Sequence, residues 1–441
     1  MAEYKAPKTE ADFEKNFAQL KPLMTDNQAY FESSRCLFCY DAPCINACPT
    51  GIDIPLFIKQ INSKNTLGAA QTIYNSNVFG YACGKVCPTE VLCEGACVYN
   101  HQEVPVIEIG RLQSYATDKA IKSNKSLFEP APPNGKKVAV IGAGPAGISC
   151  ACELRRAGFE VEIFESKSKP SGLTVYGVAP YKITNEETLE EMEYLQNQFG
   201  FKVHYESPIA TQAEINSLEL KFDAVFLGIG LGLTSDINIP GEDKAGVFGA
   251  VEMVEKLRMA HHEFSVPKKV IVLGGGNTAM DAASESARMG AEDVVLAYRR
   301  GKDEMGAYEF EYDLAKSVGV KGLFNVTPIE ITGNGKVEGV KFMKTQMVNG
   351  KMENIAGSEF TEPASWVIKA TGQAKQIEML SLIPGLERDA KGCIKVSTDT
   401  FQTTNPKYFA AGDAVSGGQE VVNAVANGKK AALAIKNFLF N

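Results

Sequence analysis

Val140-Ile141-Gly142-Ala143-Gly144-Pro145-Ala146-Gly147 ends an apolar run beginning at Val138 with a G-x-G-x-x-G turn, and leads into a helical stretch, Ile148 to Arg156. The glycines of such a turn let the backbone bend tightly and approach a pyrophosphate, while the helix behind it offers amide donors and the positive end of its dipole. The next strand-like run, Glu160 to Phe164, leads to Glu165, eighteen residues beyond Gly147, where a carboxylate can accept hydrogen bonds from ribose hydroxyls. Strand, turn, helix, strand and acid in that order predict a dinucleotide-binding unit.

A second turn of this kind, Val272-Leu273-Gly274-Gly275-Gly276-Asn277-Thr278-Ala279, follows about 130 residues later with a helical stretch from Met280 to Met289. Here the strand Val294 to Tyr298 ends in Arg299-Arg300 rather than in an acid. A guanidinium can stack on adenine or contact a 2′-phosphate; a solvated basic pair on a surface turn is the other reading. The candidate NAD(P) contacts are Gly274, Gly276, Asn277, Thr278, Ala279, Arg299 and Arg300. Further strand-like runs at Ala224 to Leu227 and Val270 to Leu273 alternate with helical ones, which predicts parallel sheets flanked by helices.

Near the C-terminus, Tyr408-Phe409-Ala410-Ala411-Gly412-Asp413-Ala414 precedes a helix expected from about Glu420 to Asn437. This resembles the second FAD-contacting motif of flavoproteins with two dinucleotide-binding domains, in which the Asp meets the ribityl and pyrophosphate end of the flavin. Ala370-Thr371-Gly372 resembles the point where such chains re-enter the FAD domain. The candidate FAD contacts are Gly142, Ala143, Gly144, Pro145, Ala146, Gly147, Glu165, Gly172, Leu173, Thr371, Gly372, Gly412, Asp413 and Val421. The expected fold is α/β: two Rossmann-like domains, for FAD and NAD(P), preceded by a mostly helical iron–sulfur domain. The expected boundaries are 1–130 for the helical head, 131–240 and 371–441 for the FAD domain, and 241–370 for an inserted NAD(P)H domain.

The 441 residues suit about three domains at roughly 150 residues each. A net charge of −8 gives no basic footprint for nucleic acid or an anionic membrane, and no apolar run approaches a membrane span. The first residues, from Met1 to the charged run Lys8 to Lys15, have no apolar signal core, so a reducing cytoplasm is the expected location.

Of the 11 cysteines, Cys36, Cys39, Cys44, Cys48, Cys83, Cys87, Cys93 and Cys97 crowd one short stretch, which points to metal or redox chemistry rather than disulfides. C-x2-C-x4-C-x3-C-P is close to ferredoxin spacing, and only one C-x2-C knuckle is present where a zinc site usually has two. Cys150 and Cys152, two apart on a helix, point away from each other and read as small buried hydrophobes. With no C-x2-C or C-x4-C pair after Cys97, disulfide reduction is not expected.

Cys36-Leu37-Phe38-Cys39-Tyr40-Asp41-Ala42-Pro43-Cys44, Cys48-Pro49-Thr50, Gly84-Lys85-Val86-Cys87-Pro88-Thr89 and Ile109-Gly110-Arg111-Leu112-Gln113 closely resemble the N-terminal part of the dihydropyrimidine dehydrogenase family. The resemblance implies two [4Fe-4S] clusters, one on Cys36, Cys39, Cys44 and Cys97, the other on Cys48, Cys87, Cys93 and Gln113, with Cys83 spare. Composition alone divides the eight cysteines into two all-cysteine sites. The glutamate synthase small subunit resembles the chain over the same span but has an acid where Gln113 stands.

Single-chain members of the dehydrogenase family continue into an FMN barrel and a ferredoxin-like tail, neither of which begins before Asn441. The resemblance therefore implies an electron-input subunit in a hetero-oligomer. NAD(P)H, with NADH favoured, would reduce FAD, and single electrons would pass through two clusters to a partner subunit carrying FMN and further clusters. That partner would reduce uracil or thymine, and no side chain here need act as acid or base. A glutamate synthase-type subunit, a stand-alone diaphorase and a flavin fold with a structural zinc head are the alternatives.

Overall fold

The computed structural model describes residues 4–102 and 104–440. Its backbone divides into two compact units, a larger one of Gln19–Val175, Lys182–Leu231 and Lys375–Asn441, and a smaller one of Met1–Ala18, Tyr176–Tyr181 and Gly232–Ala374.

In the larger unit, five parallel strands lie in the order Tyr408–Ala410, Ala224–Leu227, Lys137–Ile141, Glu160–Phe164, Lys202–His204. The Lys137–Ile141 strand is central, and Val140 faces Ile163 on one side and Phe226 on the other. Its last four residues are buried, as a continuous apolar run in a two-sided sheet requires. The strand order reverses beside this strand, so its C-terminal end is the switch point at which open α/β sheets bind ligands. Behind the turn, helix Pro145–Arg156 packs on the C-terminal helix Val421–Phe440. Ser149 Oγ donates to the Val425 carbonyl at 2.7 Å, and a Cβ on Gly428 would meet the Ala146 carbonyl at 2.2 Å.

The same unit carries the head: helices Asp26–Ser34, Ile54–Asn62, Thr66–Ser76, Gly80–Val86 and Ile109–Ser123, with no strand among the described residues before Lys137. Asp53 caps Ile54–Asn62 by accepting from the Leu56 amide, and Phe57, Ile58, Ile73 and Leu112 form a shared core. Helix Asn185–Phe199 joins the head through Glu191. This fully buried carboxylate accepts from the Tyr81 and Ala82 amides at 2.6 and 3.0 Å and from the Tyr74 hydroxyl at 3.2 Å. Those amides are orphan donors of the first turn of Gly80–Val86, where an anion is electrostatically favoured. Buried Lys85 pairs with Glu187 one turn away, at 2.9 Å.

The smaller unit has a second five-stranded parallel sheet, ordered Val247–Gly249, Trp366–Lys369, Lys269–Leu273, Asp293–Tyr298, Lys321–Phe324. An antiparallel sheet of Val326–Thr332, Gly339–Val348, Lys351–Asn354 and Phe360–Pro363 is added to it in the chain, and the sequence reading did not foresee this element. The alternation of apolar and polar residues in Gly339–Val348 is broken by charged lysines and a register shift between Lys341 and Phe342, which hides its period.

Residues 1–18, read above as part of the head, belong instead to the smaller unit. Helix Glu10–Asn16 starts with a Thr9–Asp12 capping box, Asn16 donates to the Arg288 carbonyl at 2.7 Å, and Phe17 enters the core with Met280 and Leu257. A single amphipathic turn carries no sequence signal for which core it joins.

Candidate cofactor sites

The two groups of head cysteines separate in space. Cys36, Cys39, Cys44 and Cys97 line one concavity, whose remaining wall is apolar and includes Pro43, Ile54, Ile58, Ile107 and Ile109. Burial, then the neighbouring thiols Cys36 and Cys97, push Cys44 up to about 12, and burial also raises Cys36. Four converging thiols in an apolar wall fit a metal site, since the thiolate is the ligand and a bound metal balances its charge.

Cys48, Cys87 and Cys93 form the second group, and Cys83 lies among them. A hydrogen bond to Cys83, then burial, hold the Cys87 thiol well above its ordinary range, with Cys93 and Cys48 close enough to add to this. Cys93 is raised by burial, then by Glu94 and Cys48. Gln113 is buried, and its Nε2 donates to the Gly80 carbonyl at 2.6 Å, which leaves its own carbonyl oxygen as an acceptor. Cys83 and Gln113 thus stand on the two packed helices Gly80–Val86 and Ile109–Ser123. Of the two, Cys83 contacts the Cys87 thiol, and Gln113 reaches the Gly80 carbonyl at the start of the helix that bears Cys83.

The first glycine turn has the geometry of a phosphate cradle. A Cβ on Gly142, at φ +97°, would meet the Gly228 carbonyl at 2.5 Å, and one on Gly147 would meet the Gly142 carbonyl at 2.0 Å. Gly144, the N-cap of Pro145–Arg156, has no atom closer than 3.9 Å to such a Cβ and faces open space. Ala143 is pinned from both sides: its amide donates to Glu165 Oε2 at 2.8 Å and its carbonyl accepts from the Ser171 amide at 2.7 Å. Glu165 Oε1 accepts from the Lys167 amide at 2.8 Å and from the Ser166 hydroxyl at 3.2 Å, so Oε2 is the oxygen that retains a lone pair for a ribose hydroxyl. Gly172, at φ +51°, brings its loop against Gly144, and Leu173 follows it.

At the far strand, Gly412 (φ +75°) turns the chain into Asp413, whose carboxylate accepts from the Gln419 amide at 3.0 Å. Burial raises the Asp413 carboxyl, partly offset by that amide and by Lys375. Val421 begins the C-terminal helix. All of these lie in the larger unit. Thr371 and Gly372 do not: they belong to the smaller unit, where the Gly372 carbonyl accepts from the Ser235 amide.

In the smaller unit, Gly274 could not carry a Cβ without meeting the Ala370 carbonyl at 2.4 Å, Gly275 lies under the Tyr298 ring, and Gly276 opens onto free space as the N-cap of Asn277–Arg288. Thr278 and Ala279 follow in the helix, and Asn277 Oδ1 accepts from the Tyr308 amide at 3.0 Å, tying the turn to the next loop. Arg299 and Arg300 are exposed at the end of Asp293–Tyr298. Cys150 and Cys152 are fully buried in Pro145–Arg156, as expected of small hydrophobes.

Residues 136–428 match the pyridine nucleotide-disulphide oxidoreductase family. The chain belongs to that family. Residues 13–125 match a second family, dihydropyrimidine dehydrogenase domain II with a 4Fe-4S cluster. The glutamate synthase [NADPH] small chain of Escherichia coli K12 is 36% identical over 96% of this chain and 94% of its own. The NAD-dependent dihydropyrimidine dehydrogenase subunit PreT of the same organism is 33% identical over 96% of this chain and 97% of its own. Among solved structures, the oxidoreductase FprA of Mycobacterium tuberculosis shares the fold at TM-score 0.57 and 20% identity, covering 70% of this chain and 85% of that one.

As a pyridine nucleotide-disulphide oxidoreductase with an iron–sulfur head, the protein is an NAD(P)H-dependent flavin and iron–sulfur electron-transfer oxidoreductase. The α/β expectation holds, and no helix among the described residues is long and apolar enough to cross a membrane. The sequence reading missed Glu191 and Glu187. They sit in the run Glu186-Glu187-Thr188-Leu189-Glu190-Glu191, where nothing in the residue types separates the buried acids from the solvated ones. The only local signal is the Thr184–Glu187 capping box.

Proposed function

We propose that this chain is the electron-input subunit of a two-subunit dihydropyrimidine dehydrogenase, working in a reducing cytoplasm. FAD is assigned to the glycine turn of the larger unit with Glu165 and Asp413, NAD(P)H to the turn of the smaller unit, and two [4Fe-4S] clusters to the head. When bound, these groups supply the redox chemistry, taking a hydride from the nicotinamide and passing single electrons onward.

The chain's own residues bind, orient and shield. The Gly142–Gly147 turn presents the helix N-terminus to a pyrophosphate, and Glu165 holds the Ala143 amide so that the loop is set before the ligand arrives. Asp413 stands at the start of a strand-to-helix turn with its carboxyl partly desolvated, positioned to accept from a ribityl hydroxyl. The apolar wall around Cys36, Cys39, Cys44 and Cys97 excludes water from the first cluster's surroundings.

The observation that carries the pyrimidine reading is Gln113, buried and bonded through Nε2 to the start of the helix that bears Cys83, with its carbonyl oxygen left as an acceptor where the glutamate synthase pattern has an acid. The partner is then a subunit bearing FMN and further [4Fe-4S] clusters, and NADH is the preferred donor. Anaerobic isolation of the native complex through a tag on this chain, with mass spectrometry of what accompanies it, tests this. An FMN-barrel partner with ferredoxin-like cysteines is expected. An amidotransferase-bearing partner would move the chain to glutamate synthase, a reading favoured by the 36% identity to that enzyme's small chain.

A further inference from the structure

The smaller unit contains a side-chain cluster that neither the nucleotide turn nor the thiols use. Glu10 opens the helix Glu10–Asn16, while His261 and His262 form the one-turn extension that follows Ala250–Ala260. Glu10 Oε2 lies 2.9 Å from His261 Nε2 and 3.4 Å from His262 Nε2, across a sequence separation of 251 residues for the first pair. The two imidazole centroids are 3.9 Å apart, and Phe13 stacks on His261 at 4.0 Å with an interplanar angle of 18°, which fixes the plane of that ring. All three ligand-type atoms fall within 4.8 Å of one another.

Zinc bonds of roughly 2.0–2.1 Å to His nitrogen and carboxylate oxygen, arranged tetrahedrally, set neighbouring ligand atoms about 3.3 Å apart. The separations of 2.9 and 3.4 Å straddle that edge without any rearrangement of the backbone. A hydrogen bond accounts for the shorter contact alone. The second imidazole reaches the same oxygen at 3.4 Å and lies against its neighbour, so that three donor atoms converge on one point. Two neutral imidazoles and one carboxylate form a donor set suited to a borderline divalent ion. The side chains of Glu10 and His262 are 52% and 69% exposed, so the site is open to solvent.

We propose that Glu10, His261 and His262 bind one zinc ion, with the remaining tetrahedral position open to water. The ion clips the N-terminal segment carrying Glu10–Asn16 to the end of helix Ala250–Ala260. That segment also holds to the unit through Asn16, Phe17, the stacked Phe13, and Tyr4 against Arg288. Zinc therefore stiffens the chain around Lys8 and Lys15, both exposed.

The test uses tag-free holoprotein with flavin and iron contents measured in the same sample, so that vacant cysteines do not take up the metal. Wild type, His262→Ala and His261→Ala/His262→Ala are equilibrated with micromolar zinc near neutral pH, and bound zinc is counted by elemental analysis. The expected result is one zinc per chain in wild type, with affinity at least about tenfold weaker in His262→Ala, and zinc-dependent slowing of tryptic cleavage at Lys8 and Lys15 in wild type only. His262 is largely exposed, so its loss leaves the fold intact. Equal zinc in wild type and the double variant, or no zinc in wild type, overturns the proposal.

Discussion

Glu165 Oε2 accepts the backbone amide of Ala143 at 2.8 Å, so the acid at the end of the second strand fixes the middle of the first glycine turn. The carboxylate is thus a loop brace as well as a candidate ribose acceptor. Glu165→Ala leaves the Ala143 amide buried without its partner, at a cost of about 1–3 kcal/mol. Flavin binding is expected to weaken by roughly one to two orders of magnitude, read as the flavin-to-protein ratio after gel filtration. Asp413→Ala should lower the same ratio, and full occupancy in that variant would remove Asp413 from the flavin site.

Glu191 gives a pH signature. Burial lifts its carboxyl from 4.5 to about 7, against the pull of the Ala82 and Tyr81 amides and the Tyr74 hydroxyl. A raised acid holds more protons folded than unfolded between those values, so its stabilising contribution is full below about pH 4.5 and lost as pH rises through about 7. The swing is on the order of 3 kcal/mol. In Glu191→Gln one amide donor faces an NH2 group, which destabilises the helix junction, but the pH-dependent component disappears. The gap in anaerobic unfolding midpoint between wild type and variant should therefore narrow from pH 5 to pH 8; a constant gap would show that Glu191 does not titrate there.

For the proposed second cluster, the fourth ligand is a choice between two residues on packed helices, Gln113 and Cys83. Gln113→Ala should alter the electron paramagnetic resonance of one reduced cluster only, with Cys83→Ser leaving both signals and the iron content unchanged. The opposite pattern would assign the ligand to Cys83, which already contacts the Cys87 thiol.

Arg299 and Arg300 are the candidates for discriminating the second nucleotide. If either meets a 2′-phosphate, replacing both with Ala should lower kcat/KM for NADPH by roughly tenfold or more, the worth of a charge-assisted hydrogen bond, with less effect on NADH. A proportional change for both coenzymes would mean that the pair stacks on adenine instead.

Much of this architecture is readable where local chemistry and global fold agree. Both glycine turns, the strands Glu160–Phe164 and Ala224–Leu227 and the helix Ile54–Asn62 follow from apolar runs punctuated by Gly, Pro and cap residues. That the head gathers its thiols was also legible, because clustering of a reactive residue type survives without any knowledge of contacts, whereas which thiols stand together rested on the family resemblance. Long-range choices were not. Nothing in Glu10–Asn16 indicates that it packs beside Arg288, and nothing local marks Glu191 as the acid that turns inward among the glutamates of its run. The antiparallel strands near Lys341 escaped because lysines and a bulge interrupt their period.

Neither compact unit is one continuous stretch of chain, and this has a consequence for synthesis on the ribosome. The smaller unit has all its segments once Ala374 has emerged, whereas the larger unit still lacks the edge strand Tyr408–Ala410 and the helix that covers Pro145–Arg156. The apolar face of Pro145–Arg156 and the edge of Ala224–Leu227 therefore stay uncovered until residues 408–440 have been made, and at about 5–20 residues per second that interval lasts several seconds. The nascent chain is most exposed to aggregation, and most in need of a chaperone, while its first glycine turn is already made but not yet roofed.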